Sequence, residues 1–366
     1  MKALKWHGAR DLRLEIIERR PLKAAEIRIE VAYCGICGSD MHEYLHGPDS
    51  IPVEVPHPLS NSVAPIVIGH EFCGTVVEVA ADVTGLHIGD RVAVEPEYRC
   101  GQCSYCCGGR YNLCESMGFV GLMGDGGMAE EAVIPAYMAY VLPPSLSFRQ
   151  AAVAEPAAVA LHAVRQSALR PGEACVIFGM GAIGLLLVMM AKHHEAGRII
   201  AVDVDARRLR LARELGACDT LDASQGDVVQ QVRELTGGQG VPVSFEAAGR
   251  PETLRGALGV LSKGGEAVLL GLMPEASIDT FDLVNRELRI TSSVGYRGLY
   301  PELLALMASG VVDAGRIVTH TVSLDAAIQD GFERLASAGD AIKVLVQPQP
   351  DAVARFARPH AFAHSS

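Results

Sequence analysis

The chain has 366 residues, 49% of them hydrophobic and 20% charged, with a formal net charge of −11. That balance suits a protein of about two domains with buried cores, and it excludes a broad basic surface for nucleic acid or an anionic membrane. The N-terminus "MKALKWHGARDLRLEII" lacks the apolar stretch of a secretory signal, and the longest apolar run, "IGLLLVMMA" at 183–191, is shorter than the roughly 20 residues a membrane span needs. A cytoplasmic location is therefore expected, with the ten cysteines available for metal or redox work rather than disulfides.

In chain order, "EIRIEVAYCGI" alternates as a strand does, and "CGTVVEVAADV" and "DRVAVEP" also read as strands. Between the first two lies 47–66, "GPDSIPVEVPHPLSNSVAPI", whose five prolines predict an irregular loop and a candidate roof for a pocket. From 151 to about 295 strands alternate with helices: "ACVIF", "GAIGLLLVMMAKHH", "RIIAVDV", "DARRLRLARELGA", "VSFEAAG", "ETLRGALGVL" and "EAVLLG". This βαβ series predicts an α/β domain with a doubly wound parallel sheet. Beyond 296, "PELLALMASG" and "LDAAIQDGFERLASA" read as helices and "IKVLVQP" as a closing strand; 347–366 reads as a loose tail.

"VIFGMGAIG" carries Gly179, Gly181 and Gly184, a G-x-G-x-x-G that follows a predicted strand and opens an apolar helix. The first glycine makes the tight turn, the second admits a pyrophosphate, and the third lets helix and strand pack closely. The helix start at Ala182 and Ile183 offers unpaired N–H groups to phosphate. Asp203 ends the next strand, about 20 residues on, where the motif places the acid that binds ribose hydroxyls. A carboxylate there repels a 2′-phosphate, so NAD rather than NADP is predicted. Asp205 is a rival for the ribose, and Arg208 is either beside the adenosine or a plain helix-surface residue.

Residues 99–114 read "RCGQCSYCCGGRYNLC". Cys100, Cys103, Cys106 and Cys114 give C-x2-C-x2-C-x7-C, which suits a closed, tetrahedral structural zinc. A ferredoxin-type cluster would continue C-x3-C-P instead; a disulfide lobe is the other rival. A register using Cys107 in place of Cys106 stays open.

A second constellation is scattered. "YCGICGSDMHEY" places Cys37, Ser39, Asp40 and His42 on a turn after a strand, "IVIGHEFCG" places His70 and Glu71 at another strand end, and "AVAEPAAVALHAV" places Glu155 at a helix start. Each has a structural explanation by itself. Together, Cys37, His70 and Glu155 make one thiolate, one imidazole and one carboxylate, the donors of an open zinc site, provided the fold unites them.

Over roughly residues 1–346 the chain resembles the zinc-dependent medium-chain alcohol dehydrogenases, through "CGICGSD", "GHE", the cysteine lobe, "VEPEYRCGQC" and "FGMGAIG". Within that family "MKALKWHG", "HEYLHGP", the 47–66 insertion, "AEPAAVALHAVRQS" and "YRG" are most like the (R,R)-2,3-butanediol dehydrogenase group. The resemblance implies a GroES-like β-barrel catalytic domain from 1–150 and 296–346, with a structural zinc lobe at about 96–116. It implies a Rossmann NAD-binding domain at 151–295 and an active site in the cleft between the two. It implies catalytic zinc on Cys37, His70 and Glu155, with Glu71 beside it, and structural zinc on the four lobe cysteines. The implied reaction is hydride transfer between NAD(H) and a secondary alcohol or ketone, 2,3-butanediol and acetoin first, with sorbitol-type polyols or L-threonine as alternatives. Ser39, two residues after Cys37, can bridge to His42 or the ribose and so pass the proton to solvent, and Tyr296 and Arg297 are either candidate substrate contacts or an exposed pair at a domain junction. A homodimer or homotetramer is expected, with a small molecule as the only other partner. A reading from another class is a non-catalytic NAD-binding protein, which the intact Cys37, His70 and Glu155 set argues against.

Overall fold

The computed structural model describes residues 1–337 and 339–349, so most of the predicted tail, 350–366, lies outside the described residues. The chain divides into two units: Met1–Glu155 together with the segment that begins at Val318, and Pro156–Ile317.

In the first unit a seven-stranded sheet centres on Glu26–Gly35. The strand is central in its sheet, and its burial runs almost continuously, Arg28 included, although its apolar residues alternate over the first half. Its partners are Glu71–Val79 on one side and Lys343–Gln347 on the other. The register sets Gly35 opposite both Glu71 and Leu345. Three strand ends from distant parts of the chain therefore converge next to Cys37. Leu4, Trp6, Ile29, Phe72, Val92 and Val344 belong to the core beneath.

Two further features frame the site. Cys37 precedes the helix Gly38–Leu45. The 47–66 segment has no helix or strand before Ile66–Val67, as its prolines predict. Its root is tied to that helix: the buried Glu43 carboxylate accepts backbone N–H groups from Asp49, Ser50 and Ile51. The paired strands Glu97–Tyr98 and Gly118–Phe119 flank the cysteine lobe.

The second unit is a six-stranded, all-parallel sheet in the order Asp219–Asp222, Arg198–Asp203, Ala174–Phe178, Val241–Glu246, Leu261–Leu269, Arg289–Ser292. In chain order this is 3-2-1-4-5-6, the doubly wound arrangement whose switch point lies between the first and fourth strands. The second boundary falls at 317/318 rather than the expected 295/296. The strand pattern ends at Ser292, but helix Tyr300–Ala308 and the turn Ala314–Ile317 stay with this unit, the turn packed on helix Ala182–His193. The stretch read as one helix from "LDAAIQDGFERLASA" is a 3-10 turn, a six-residue π-helix Ala327–Phe332, and a short α-turn. The wider turn accommodates Gly331 tight against Ile36 and turns Phe332 edge-on to Tyr44.

Candidate active site

At the switch point of the second unit, Gly179 follows strand Ala174–Phe178 with φ +88°, a conformation that favours glycine. A Cβ on Gly184 would stand 1.7 Å from the Gly179 carbonyl oxygen, while one on Gly181 would meet nothing within 4 Å. The three glycines thus divide the work as the motif predicts: turn, open approach and close packing. Gly181 caps helix Ala182–His193 without a side-chain acceptor, so the N–H groups of the first turn, Ala182 and Ile183 included, are available to a phosphate. A cavity of about 580 Å³ opens beside it, lined by Gly179, Gly181, Asp203, Arg208, Ala248 and Arg250 among others.

Asp203 stands at the rim of that cavity. Its carboxylate accepts N–H groups from Met180 (2.6 Å), Val204 and Asp205 (2.8 Å each), which locks it to the glycine turn. Asp205, the rival, is occupied elsewhere. It caps helix Ala206–Leu215 and pairs with Arg207 at 2.7 Å, and those bonds to Arg207 hold its carboxyl far below the usual range. Arg208 lines the cavity, half-buried. Tyr296 is fully buried and packs on Tyr300, ring centroids 5.6 Å apart. The ring is part of this unit's packing. Arg297 is half-buried near His162; burial first, and then the Arg297 charge, push that imidazole down to about 4.

In the first unit, the ligand atoms of Cys100, Cys103, Cys106 and Cys114 all lie within 4.8 Å of one another. Four sulfurs at ~2.3 Å from a tetrahedral centre stand about 3.8 Å apart; Cys100 and Cys106 are at 3.9 Å. Backbone N–H groups point at the sulfurs: Cys103 to Cys100 (3.3 Å), Cys106 to Cys103 (3.4 Å), Cys100 to Cys114 (3.3 Å). Such donors stabilise thiolates, and Cys103 is brought down to about 6 by the N–H groups of Cys106 and Glu115. Burial pushes Cys106 up to about 12, the reluctance of four crowded sulfurs to ionise together without a cation. The residues fit zinc. Cys107 is exposed, and its thiol points away, to the Gln102 carbonyl at 3.5 Å.

The second cluster consists of Cys37, His70 and Glu71, again within 4.8 Å. Glu155 is buried in the first turn of helix Ala154–Gln166 but lies outside that set; its charge reaches the cluster by acting on Lys343. Ser39 Oγ sits 3.4 Å from His70 Nε2. Behind the ring, His70 Nδ1 faces Asp40 Oδ1 at 3.6 Å, both atoms buried and neither with a hydrogen-bond partner among the described residues. A carboxylate facing Nδ1 favours a proton there, and so the tautomer that presents Nε2 to a metal. Burial works against a charged imidazole, but Asp40 and Cys37 outweigh it and push the His70 pKa well above its ordinary value. The surroundings therefore favour positive charge, and the thiol, imidazole and carboxylate donors suit zinc. Phe119 packs edge-on against His70 at 6.0 Å. His42 is exposed, one turn beyond Ser39.

Two residues hold central places that the sequence did not assign. Asp40 was named within "CGICGSD" without a role, which appears only when His70 stands beside it. Lys343 is buried and bonded to Glu71 at 2.7 Å, and no local signal announces it.

Few classes of protein need a dinucleotide cradle and two thiol-bearing metal clusters in one chain; metal-dependent dehydrogenases do. Comparison with known proteins agrees. Residues 23–144 match the alcohol dehydrogenase GroES-like domain, and residues 182–309 match the zinc-binding dehydrogenase family. The chain belongs to the zinc-binding alcohol dehydrogenases, with a GroES-like unit and a Rossmann unit, and is an oxidoreductase that uses zinc and a nicotinamide dinucleotide. It is 43% identical to (R,R)-butanediol dehydrogenase of Bacillus subtilis over 95% of this chain and 100% of that protein. It is 34% identical to sorbitol dehydrogenase of the same organism, over 95% and 97%. The crystal structure of 2R,3R-butanediol dehydrogenase from Bacillus subtilis superposes with a TM-score of 0.89 at 42% identity, covering 95% of this chain and 99% of that one. Among the described residues, no helix is long and apolar enough to cross a membrane.

Proposed function

We propose that this dehydrogenase interconverts a vicinal diol and its hydroxyketone, 2,3-butanediol and acetoin, with NAD(H) as the hydride carrier. The observation that carries the chemistry is the meeting of Cys37, His70 and the buried Glu71 carboxylate in one cluster. The substrate rests on likeness to the butanediol dehydrogenase along the whole of that protein.

Cys37, His70 and Glu155 hold the catalytic zinc, with Glu71 beside it, and the four lobe cysteines hold the structural one. Bound zinc supplies Lewis acidity that lowers the pKa of a substrate hydroxyl, and the dinucleotide accepts the hydride. The protein's own groups move the proton. Ser39, at His70 Nε2, receives it from the substrate side. His42, three residues on along the same helix and exposed, passes it to solvent. In the Rossmann unit, Gly179, Gly181 and Gly184 with the N–H groups of Ala182 and Ile183 cradle the pyrophosphate. Asp203 takes the ribose hydroxyls and favours NAD over NADP, and Arg208 flanks the adenosine.

Two further readings have support. A homo-oligomer, dimer or tetramer, is supported by the exposed edge strand Arg289–Ser292 beside exposed Phe281 and Val284, unpaired backbone and apolar surface that a second copy can cover. A cytosolic location is supported by ten free cysteines.

The test is NADH formation against butanediol stereoisomers, sorbitol, threonine and simple secondary alcohols. The reading predicts the highest kcat/KM on a butanediol. Preference for sorbitol would favour the polyol reading, which the second relative supports. Asp203→Ser should narrow the preference for NAD over NADP by about tenfold or more, the loss of roughly 1.4 kcal/mol or more. An unchanged ratio would remove Asp203 from cofactor choice.

A further inference from the structure

We propose that Lys343 is a positioning residue that decides which carboxylate completes the catalytic zinc site: it occupies both oxygens of Glu71 and so leaves the third ligand place to Glu155. The inference rests on the zinc reading given above for Cys37 and His70.

Two buried carboxylates bear on the cluster: Glu71 stands in it, and Glu155 lies outside it with its charge felt at Lys343. Glu71 is fully buried and close enough to Cys37 and His70 to ligate with them. Left alone beside a dication, it would be drawn in. It is not left alone: the Lys343 ammonium donates to Glu71 Oε1 at 2.8 Å and Oε2 at 2.7 Å. Lys343 is itself buried, its side chain 3% exposed, so solvent does not compete for either partner.

The same ammonium donates to the Ile36 carbonyl at 2.9 Å. Ile36 adjoins Cys37, and Glu71 adjoins His70, so one cation ties together the two strand ends that carry the proposed ligands. The fold makes room for this arrangement. The Glu71 carboxylate lies across the backbone of Gly35, where a Cβ would stand 2.1 Å from Oε2. Any side chain at position 35 would push the carboxylate off that seat.

Charge balance points the same way. With Glu71 neutralised by Lys343, zinc bound by the Cys37 thiolate, His70 and the Glu155 carboxylate is neutral overall. Removing the ammonium leaves an uncompensated carboxylate against the metal, and the low-dielectric surroundings make its capture by zinc the favourable outcome.

Cobalt replaces zinc and makes coordination visible. Spectra of cobalt-loaded protein are recorded as differences against Cys37→Ser, which subtracts the four-cysteine site. In the parent protein a thiolate-to-cobalt band is expected together with intense four-coordinate visible bands. Lys343→Met should weaken the visible bands as Glu71 enters, and should slow removal of this metal by a chelator about tenfold. Lys343→Met combined with Glu71→Gln should restore both the parent spectrum and the parent release rate, which a merely structural lysine would not do. If Lys343→Met does not fold, Lys343→Gln carries the same comparison.

An unmoved spectrum in the lysine variant, or a double variant that stays shifted, would overturn the role of Lys343 while leaving the zinc reading standing. Absence of any thiolate band that Cys37→Ser removes would overturn both.

Discussion

The first unit holds two cysteine-bearing clusters built on opposite plans. The lobe draws four like donors from fifteen consecutive residues, 100–114, three of them half-exposed, with backbone N–H groups aimed at the sulfurs. The Cys37 cluster draws unlike donors from distant strand ends, all but Cys37 itself buried, with a carboxylate behind its histidine and a lysine holding its glutamate. Four thiolates fill a tetrahedral zinc and leave nothing for a substrate. Three mixed donors leave a place open, and the surrounding charges then decide what the metal does. The number of cysteines in a stretch is therefore a poor guide to where the chemistry lies: the site proposed as reactive has one.

The sharpest way to break this comparison is to remove a ligand from each cluster. Cys37→Ser should lose one zinc and lower kcat/KM by at least about 10³-fold, ~4 kcal/mol of transition-state stabilisation, while NAD affinity measured by titration stays within about twofold, because the cradle belongs to the other unit. Near-parental turnover in zinc-depleted Cys37→Ser protein would remove the catalytic assignment. Asp40→Asn tests the group behind the histidine. It keeps the shape but removes the charge facing His70 Nδ1, and should weaken metal retention at this site about 10–100-fold against a competing chelator.

Cys103→Ser should act on the other axis. One zinc is lost again, but the main effect is on stability. A loss of about 3 kcal/mol would lower Tm by roughly 6–12 °C by calorimetry, with protein that is still folded at the assay temperature retaining activity within about threefold. A Cys103→Ser enzyme that keeps its Tm and loses its turnover would reverse the roles given to the two clusters.

The two plans also explain what could be read from the sequence. The glycine turn and the lobe are local: Gly179, Gly181 and Gly184 do their work within one strand–helix turn, and the lobe's ligands sit within reach of each other along the chain, so spacing carries the information. The parallel sheet was legible for the same reason, from alternation alone. Cys37 and His70 were candidate donors by residue type, but only family likeness united them, because nothing in "CGICGSD" states that "GHE" will stand beside it. That depends on strand Glu26–Gly35 pairing with Glu71–Val79. Lys343 was out of reach, since a lysine in "IKVLVQP" reads as a solvated strand end until the register sets Leu345 against Gly35 and carries Lys343 inward to Glu71. The burial of Tyr296 was out of reach for the same reason: a tyrosine after the last predicted strand carries no local sign of burial, which comes from packing against Tyr300.

The smallest expected effect concerns the fifth cysteine of the lobe. Cys106 and Cys107 are adjacent on the short helix Ser104–Cys107, and successive helical residues point about 100° apart, so only one of them can face the other three sulfurs. Cys106 does; Cys107 is exposed, with its thiol directed at the Gln102 carbonyl. Cys107→Ser replaces one weak donor with a better one at the same place. It should leave about two zincs per chain by metal analysis, shift Tm by no more than about 2 °C, and leave kcat/KM unchanged. Cys106→Ser, one residue away, should lose a zinc and reproduce Cys103→Ser. If instead Cys107→Ser loses the metal and Cys106→Ser keeps it, the zinc is held in the alternative register, with the helix turned by about one residue relative to the arrangement described.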